Sequence, residues 1–143
     1  MVTRTEDELE VIETTVQKTY RWISELNGEL DGVGRRESYQ VLRGFLHVLR
    51  DRLIVDEAAQ LAAQLPMLVR GIYYEGWDPS KVPQKMKADE FLALFFFEAA
   101  MDSTQDPLPA LQAAARVMRR HVTRGETNDV FAILPQEIRE LLQ

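Results

Sequence analysis

The second half of this chain repeats the first at an offset of 69 residues. Across residues 42–70 the offset pairs Leu42 with Leu111, Val48 with Val117, Arg50 with Arg119, Glu57 with Glu126, Ala63 with Ala132, Leu65-Pro66 with Leu134-Pro135 and Arg70 with Arg139, eight identities in 29 positions. Between them lie conservative matches, Leu49 with Met118, Leu53 with Val122, Leu61 with Val130 and Val69 with Ile138, all apolar positions that a core would fix. The chain is therefore expected to be a tandem duplication. A half of about 69 residues is marginal alone, so the halves should share one core.

Apolar residues recur at helical spacing almost throughout, and no stretch alternates with period two between turn signals, which predicts an all-α fold. Each repeat should hold four helices, the two units being related by a pseudo-twofold axis. Tyr39, Leu42, Leu46, Leu49 and Leu53 form one apolar stripe on the second helix. A short helix over 56–64 should stop at Leu65, because proline disfavours helical geometry in the preceding residue, and Pro66 suits the start of the next helix. In the second repeat the equivalent helices are expected at 87–101, 108–122, 126–133 and 135–142. Thr123 and Glu126 have capping-box spacing, whereas Ile54 replaces the threonine in the first repeat and leaves Asp56 as the expected cap. The division is residues 1–75, a linker at 76–85 marked by Gly76, Pro79 and Pro83, and residues 86–143.

With 45% hydrophobic and 28% charged residues among 143, the chain lies in the range of ordinary globular domains. It has no cysteine, which excludes disulfides and thiolate chemistry and is compatible with a reducing compartment. The acidic amino terminus lacks a signal-peptide pattern, and the longest apolar stretch, 91–101, is interrupted by Glu98 and too short to span a membrane. A cytoplasmic location is expected. Residues 1–34 hold eight acids against three bases, while residues 107–125 hold four arginines and no acid, so the acidic first helix is placed against the basic one.

The segment Leu46, Leu49-Arg50, Arg52-Leu53, Glu57-Ala58, Leu61, Gln64-Leu65-Pro66, Arg70-Gly71, Tyr73-Tyr74 and Gly76-Trp77 resembles the bacterial family of the domain of unknown function 2267 (DUF2267), with Gln-Leu-Pro and Gly-Trp-Asp-Pro as its distinctive elements. The likeness covers residues from about 20 to 142 and implies a small, soluble, all-helical protein of two repeats. It implies no activity, cofactor or catalytic residue. Ile54 departs from the proline or small polar residue more usual there.

Chemistry has few candidates. His47 and His121 are not repeat-equivalent, neither has a histidine partner at metal-ligand spacing, and phosphate loops and nucleophile elbows are missing. Both histidines are expected at the surface or at helix ends. The acids from Glu6 to Glu13 suit a solvated helix start. Arg43, His47 and Arg50 share a helix face that suits an anion, yet pairing with acids or helix ends explains them more simply. No enzyme, cofactor, metal, nucleic acid or membrane partner is expected.

Two features have no repeat equivalent. Ser24, Glu25, Asn27 and Gly28 become Ala93, Leu94, Phe96 and Phe97, giving residues 91–101 an additional apolar face that needs burial under the first helix, against a second copy, or on a hydrophobic ligand. The linker region concentrates Tyr73, Tyr74 and Trp77, which either close a cleft or extend the core. The expected function is a noncatalytic helical interaction module that self-associates through Leu94, Phe96, Phe97 and Met101. The alternative is a protein holding a small apolar or anionic molecule at the seam between repeats, closed by Tyr73, Tyr74 and Trp77.

Overall fold

The computed structural model describes residues 8–143, and within them it is all-helical, with no strand. The helices are α1 (Glu10–Glu29), α2 (Arg35–Asp51), α3 (Val55–Ala62), α4 (Met67–Tyr74), α5 (Ala88–Glu98), α6 (Pro107–His121), α7 (Arg124–Ile133) and α8 (Gln136–Leu141), with a 3-10 turn at Pro79–Lys81 inside the linker. None of the described helices is long and apolar enough to cross a membrane.

The core is built from the positions that the 69-residue offset pairs. Leu42 and Leu111, Val48 and Val117, Leu49 and Met118, Leu61 and Val130, and Val69 and Ile138 are all fully buried. Burial of each such side chain contributes about 1.5–3 kcal/mol. Ala63 and Ala132 are exposed in both halves, so their match is not imposed by packing.

Proline sets the helix starts after α3 and α7. Pro66 and Pro135 are the N-cap residues of α4 and α8, with φ of -55° and -56°, while Leu65 and Leu134 before them are buried. Between α1 and α2 the chain reverses through Asp31, Gly32 and Gly34 at φ of 60°, 77° and 110°, a left-handed path that glycine follows without strain.

Helix α2 is the central element, packing on α1, α4, α5 and α6. The other main pairings are α1 with α4 and α6, α5 with α6 and α8, α6 with α8, and α3 with α7. The closest approach is at Gly44 of α2, where a Cβ would lie 2.7 Å from the Ala99 backbone nitrogen at the end of α5. Only glycine lets these two backbones meet so closely.

Of the two expected caps, Asp56 is displaced and the Thr123 box is half made. α3 starts at Val55 after Ile54, which makes no side-chain cap, so Asp56 lies in the first turn and not at the cap. In α7 the Thr123 hydroxyl does accept from Glu126 N at 3.3 Å, but the reciprocal bond is missing. The Thr123 N–H is given to Gln64 Oε1 at 2.9 Å, and Gln64 Nε2 donates to Thr123 Oγ1 at 3.1 Å. Gln64 therefore clamps the end of α3 to the start of α7, and the Glu126 carboxyl is left for another role.

Candidate functional site

The basic face of α2 is consumed within the fold. His47 Nε2 donates to Ile72 O at 2.8 Å, and Arg50 Nη1 donates to Tyr73 O at 2.8 Å and to Glu75 O at 2.5 Å. The carbonyls of the last turn of α4 lack full helical pairing, Ile72 O receiving only a 3.3 Å bond from the Glu75 N–H, so the two side chains cap α4. Arg43 binds the Glu75 carboxylate at 2.7 Å and lies 3.9 Å from Glu98. His47 is buried and not a surface residue; burial first, and the nearby Arg50 and Arg43 charges, hold its pKa below the ordinary value against the opposing bond to Ile72. Arg70 caps α3 in the same way, donating to Ala62 O at 2.9 Å and Leu65 O at 3.0 Å.

Charge also joins α1 to α6. Glu29 binds Arg116 at 3.2 Å and also Arg120, His121 meets Glu25, and the His121 ring stacks on Trp22 with centroids 4.7 Å apart. Bonds to Arg116 lower the Glu29 pKa despite some desolvation, with Arg120 adding to the effect. The acids that face the basic helix thus come from the last turns of α1. Glu6 and Asp7 lie outside the described residues. Among the described residues no group of three or more acids and histidines is arranged to hold a metal ion.

The aromatic residues before and in the linker extend the core. Tyr73 is fully buried, donates from its hydroxyl to Ala58 O at 2.9 Å, and has its pKa raised far above the ordinary value by burial. Tyr74 meets both Tyr73 and Trp77 at centroid separations of 5.2 Å, and Trp77 leaves its Nε1 buried without a hydrogen-bond partner. Arg50 lies under the same turn, 4.0 Å from where a Gly76 Cβ would stand, and Gly76 itself has φ of 75°.

The α5 face divides. Phe91 and Phe95 are fully buried, Leu94, Phe96 and Met101 are half-buried, and Phe97 is 77% exposed. Ala93, one turn before Phe97, is exposed as well. Leu94 and Met101 pack against the core, so the uncovered apolar surface is narrower than the sequence suggests and centres on Phe97.

A cavity of about 430 Å³ lies where the α1–α2 loop meets the α5–α6 loop. Its lining includes Glu29, Asp31, Glu37, Asp102 and Asp106 against Arg116, and none of Tyr73, Tyr74 and Trp77. This chemistry suits a cation better than the apolar or anionic molecule expected from the sequence.

The repeat-equivalent Glu57 and Glu126 meet between α3 and α7. Both are buried, each keeps Oε1 without a partner, and the Glu126 carboxyl hydrogen-bonds to Glu57. Desolvation, that hydrogen bond, and the charges of Glu57 and Asp129 push Glu126 up to about 7. The identity of the two residues in the repeat was the available signal; that they face each other could not be seen from spacing.

These features define an all-helical protein whose titratable and basic side chains mostly serve as caps and clamps. The sequence model of the family described as "Uncharacterized conserved protein (DUF2267)" matches residues 19–141, and the chain belongs to that family. No curated protein matches it.

Proposed function

We propose that the protein is a noncatalytic helical interaction module, a tandem duplication of two four-helix units that self-associates through the outer face of α5. The duplication reading is supported by the helix pairings. Exchanging α1–α4 with α5–α8 turns α1·α2 into α5·α6, α2·α4 into α6·α8, α1·α4 into α5·α8 and α2·α5 into α6·α1, while α2·α6 and α3·α7 map onto themselves. That is the pattern of a twofold relation. The cysteine-free sequence supports action in a reducing compartment such as the cytoplasm.

The observation that carries the self-association is Phe97, 77% exposed beside exposed Ala93, at the place where the first repeat has Gly28. Burying such a ring against a second copy contributes roughly 2 kcal/mol per protomer, and a twofold contact presents two of them. A dimer is stabilised by mass action, so its melting temperature rises with protein concentration. Wild type should show this rise, and Phe97→Glu should abolish it while staying folded, since Phe97 contributes little to the monomer core. Concentration-independent melting of wild type would refute the self-association.

A second reading, a small molecule at the seam, is favoured by the 430 Å³ cavity between the two loops. Its acidic lining makes amines the fitting class. A thermal-shift series of amines against carboxylates checks this, and stabilisation by carboxylates alone would contradict it.

A further inference from the structure

An apolar groove of about 580 Å³ lies on the first half of the molecule, between α1, α2 and α4. Its walls are Val16 and Ile23 of α1, Tyr39 of α2, and Leu68 and Ile72 of α4, with Tyr20 at the edge. Tyr20 is 48% exposed and Leu68 43%, so the groove opens to solvent. The size falls within the range of small-molecule sites, and the lining of mostly apolar side chains with few polar groups is typical of them.

The second half lacks the residues that form these walls. Helix α5 begins at Ala88, the equivalent of Thr19, whereas α1 begins at Glu10, so the turns that carry Val16 have no helical counterpart. Val16 corresponds to Lys85, Tyr20 to Asp89 and Leu68 to Glu137. Glu137 accepts from Ala88 N at 3.0 Å and so caps α5. In the first half α1 runs on through the equivalent position, Thr19, so no carboxylate is needed there; Thr15 Oγ1 instead accepts from Leu68 N at 2.9 Å in the first turn of α4, and Leu68 is left as an exposed apolar wall. Three polar-to-apolar differences thus converge on one surface that the fold itself does not need.

Two cations complete it. Arg35 and Arg36, from the first turn of α2, line the groove, and Arg35 lies over the Tyr20 ring at 4.9 Å. Among the described residues no carboxylate pairs with either, unlike Arg43, Arg116 and Arg120, which each bind a glutamate. We infer that this groove binds a single-chain amphiphilic carboxylate, its tail between Val16, Ile23, Leu68 and Ile72 and its carboxylate on Arg35 and Arg36. Arginine offers a planar fork of donors that matches a carboxylate.

The test is isothermal titration of the full chain with dodecanoate and with dodecyltrimethylammonium, which share a tail and differ in headgroup charge. Dodecanoate should bind with one-to-one stoichiometry, at least about tenfold more tightly than the cation. Leu68→Glu, which installs the residue found in the second half, should abolish binding. Arg36→Ala should weaken dodecanoate binding and leave the cation unaffected. Leu68 is exposed, so the fold should tolerate its replacement, and the comparison of headgroups on wild type needs no variant. Absence of saturable binding up to about 1 mM, equal affinity for the two headgroups, or unchanged affinity in a folded Leu68→Glu would each overturn the proposal. So would a dimer lost on Leu68→Glu without dodecanoate binding, since the groove would then belong to a second copy.

Discussion

Replacing Glu126 with glutamine should stabilise the protein at pH 8. Glu126 is 8% exposed and meets its repeat equivalent Glu57, 7% exposed, with Asp129 adding negative charge and the Tyr73 hydroxyl already given to Ala58 O. Burial and the contact with Glu57 raise its pKa from the ordinary 4.5 to about 7. Between those values the folded protein keeps a proton that the unfolded chain releases. Its contribution is therefore fully present below about pH 4.5 and is lost as pH rises through 7. At roughly 1.4 kcal/mol per pKa unit, the loss is on the order of 3 kcal/mol, or several degrees in melting temperature for a chain of this length. Glutamine holds a permanent N–H donor where the proton sat. The assay is thermal melting of wild type and Glu126→Gln from pH 4.5 to 8.5. His47 has the opposite sign, because burial lowers its pKa from 6.5, so its contribution is present above that value and lost as pH falls. Subtracting the variant from wild type cancels the His47 effect. The difference should widen in favour of the variant up to pH 8. Equal melting at pH 8, or a less stable variant there, would refute the assignment of a shared proton.

Three further substitutions probe the clamps. Gly44→Ala should destabilise by about 1–2 kcal/mol in chemical denaturation, although alanine in a helix usually gains up to about 1 kcal/mol over glycine, because its Cβ meets the Ala99 backbone at 2.7 Å. Gln64→Ala removes both bonds to Thr123 and should cost about 1 kcal/mol, with faster amide exchange in the first turn of α7 as its local signature. Arg50→Met frees the carbonyls of Tyr73 and Glu75, and urea unfolding should show a loss of about 2–3 kcal/mol with α4 fraying first.

Much of the fold was legible because helical periodicity and the Leu-Pro steps are local signals. Leu65 and Leu134 are buried before N-cap prolines as the repeat implies, and five of the eight identities across it, Leu42, Val48, Glu57, Leu65 and Pro66 with their partners, lie at buried positions or helix N-caps in both halves. The basic face of α2 was open to two readings, and the structure resolves Arg50 and His47 into helix caps because the end of α4 lies within reach. What failed was pairing across distance. Thr123 and Glu126 have capping-box spacing, yet Gln64, 59 residues away, competes successfully for the Thr123 N–H. The groove beside Leu68 was missed for the same reason: Val16, Tyr39 and Leu68 sit on three helices, and nothing in any one helix announces their meeting. The exposed edge of α5 was visible as an excess of apolar residues, but only packing separates Phe95, fully buried, from Phe97, 77% exposed.

The central claim, self-association through the α5 face, is tested most directly by the mass of the particle in solution. Sedimentation equilibrium of wild type over a micromolar concentration series should approach about 33 kDa, twice the chain's 16.5 kDa, and Phe97→Glu should remain at the monomer mass. A wild-type particle that stays at 16.5 kDa throughout, or a Phe97→Glu variant that dimerises as well as wild type, would contradict the account.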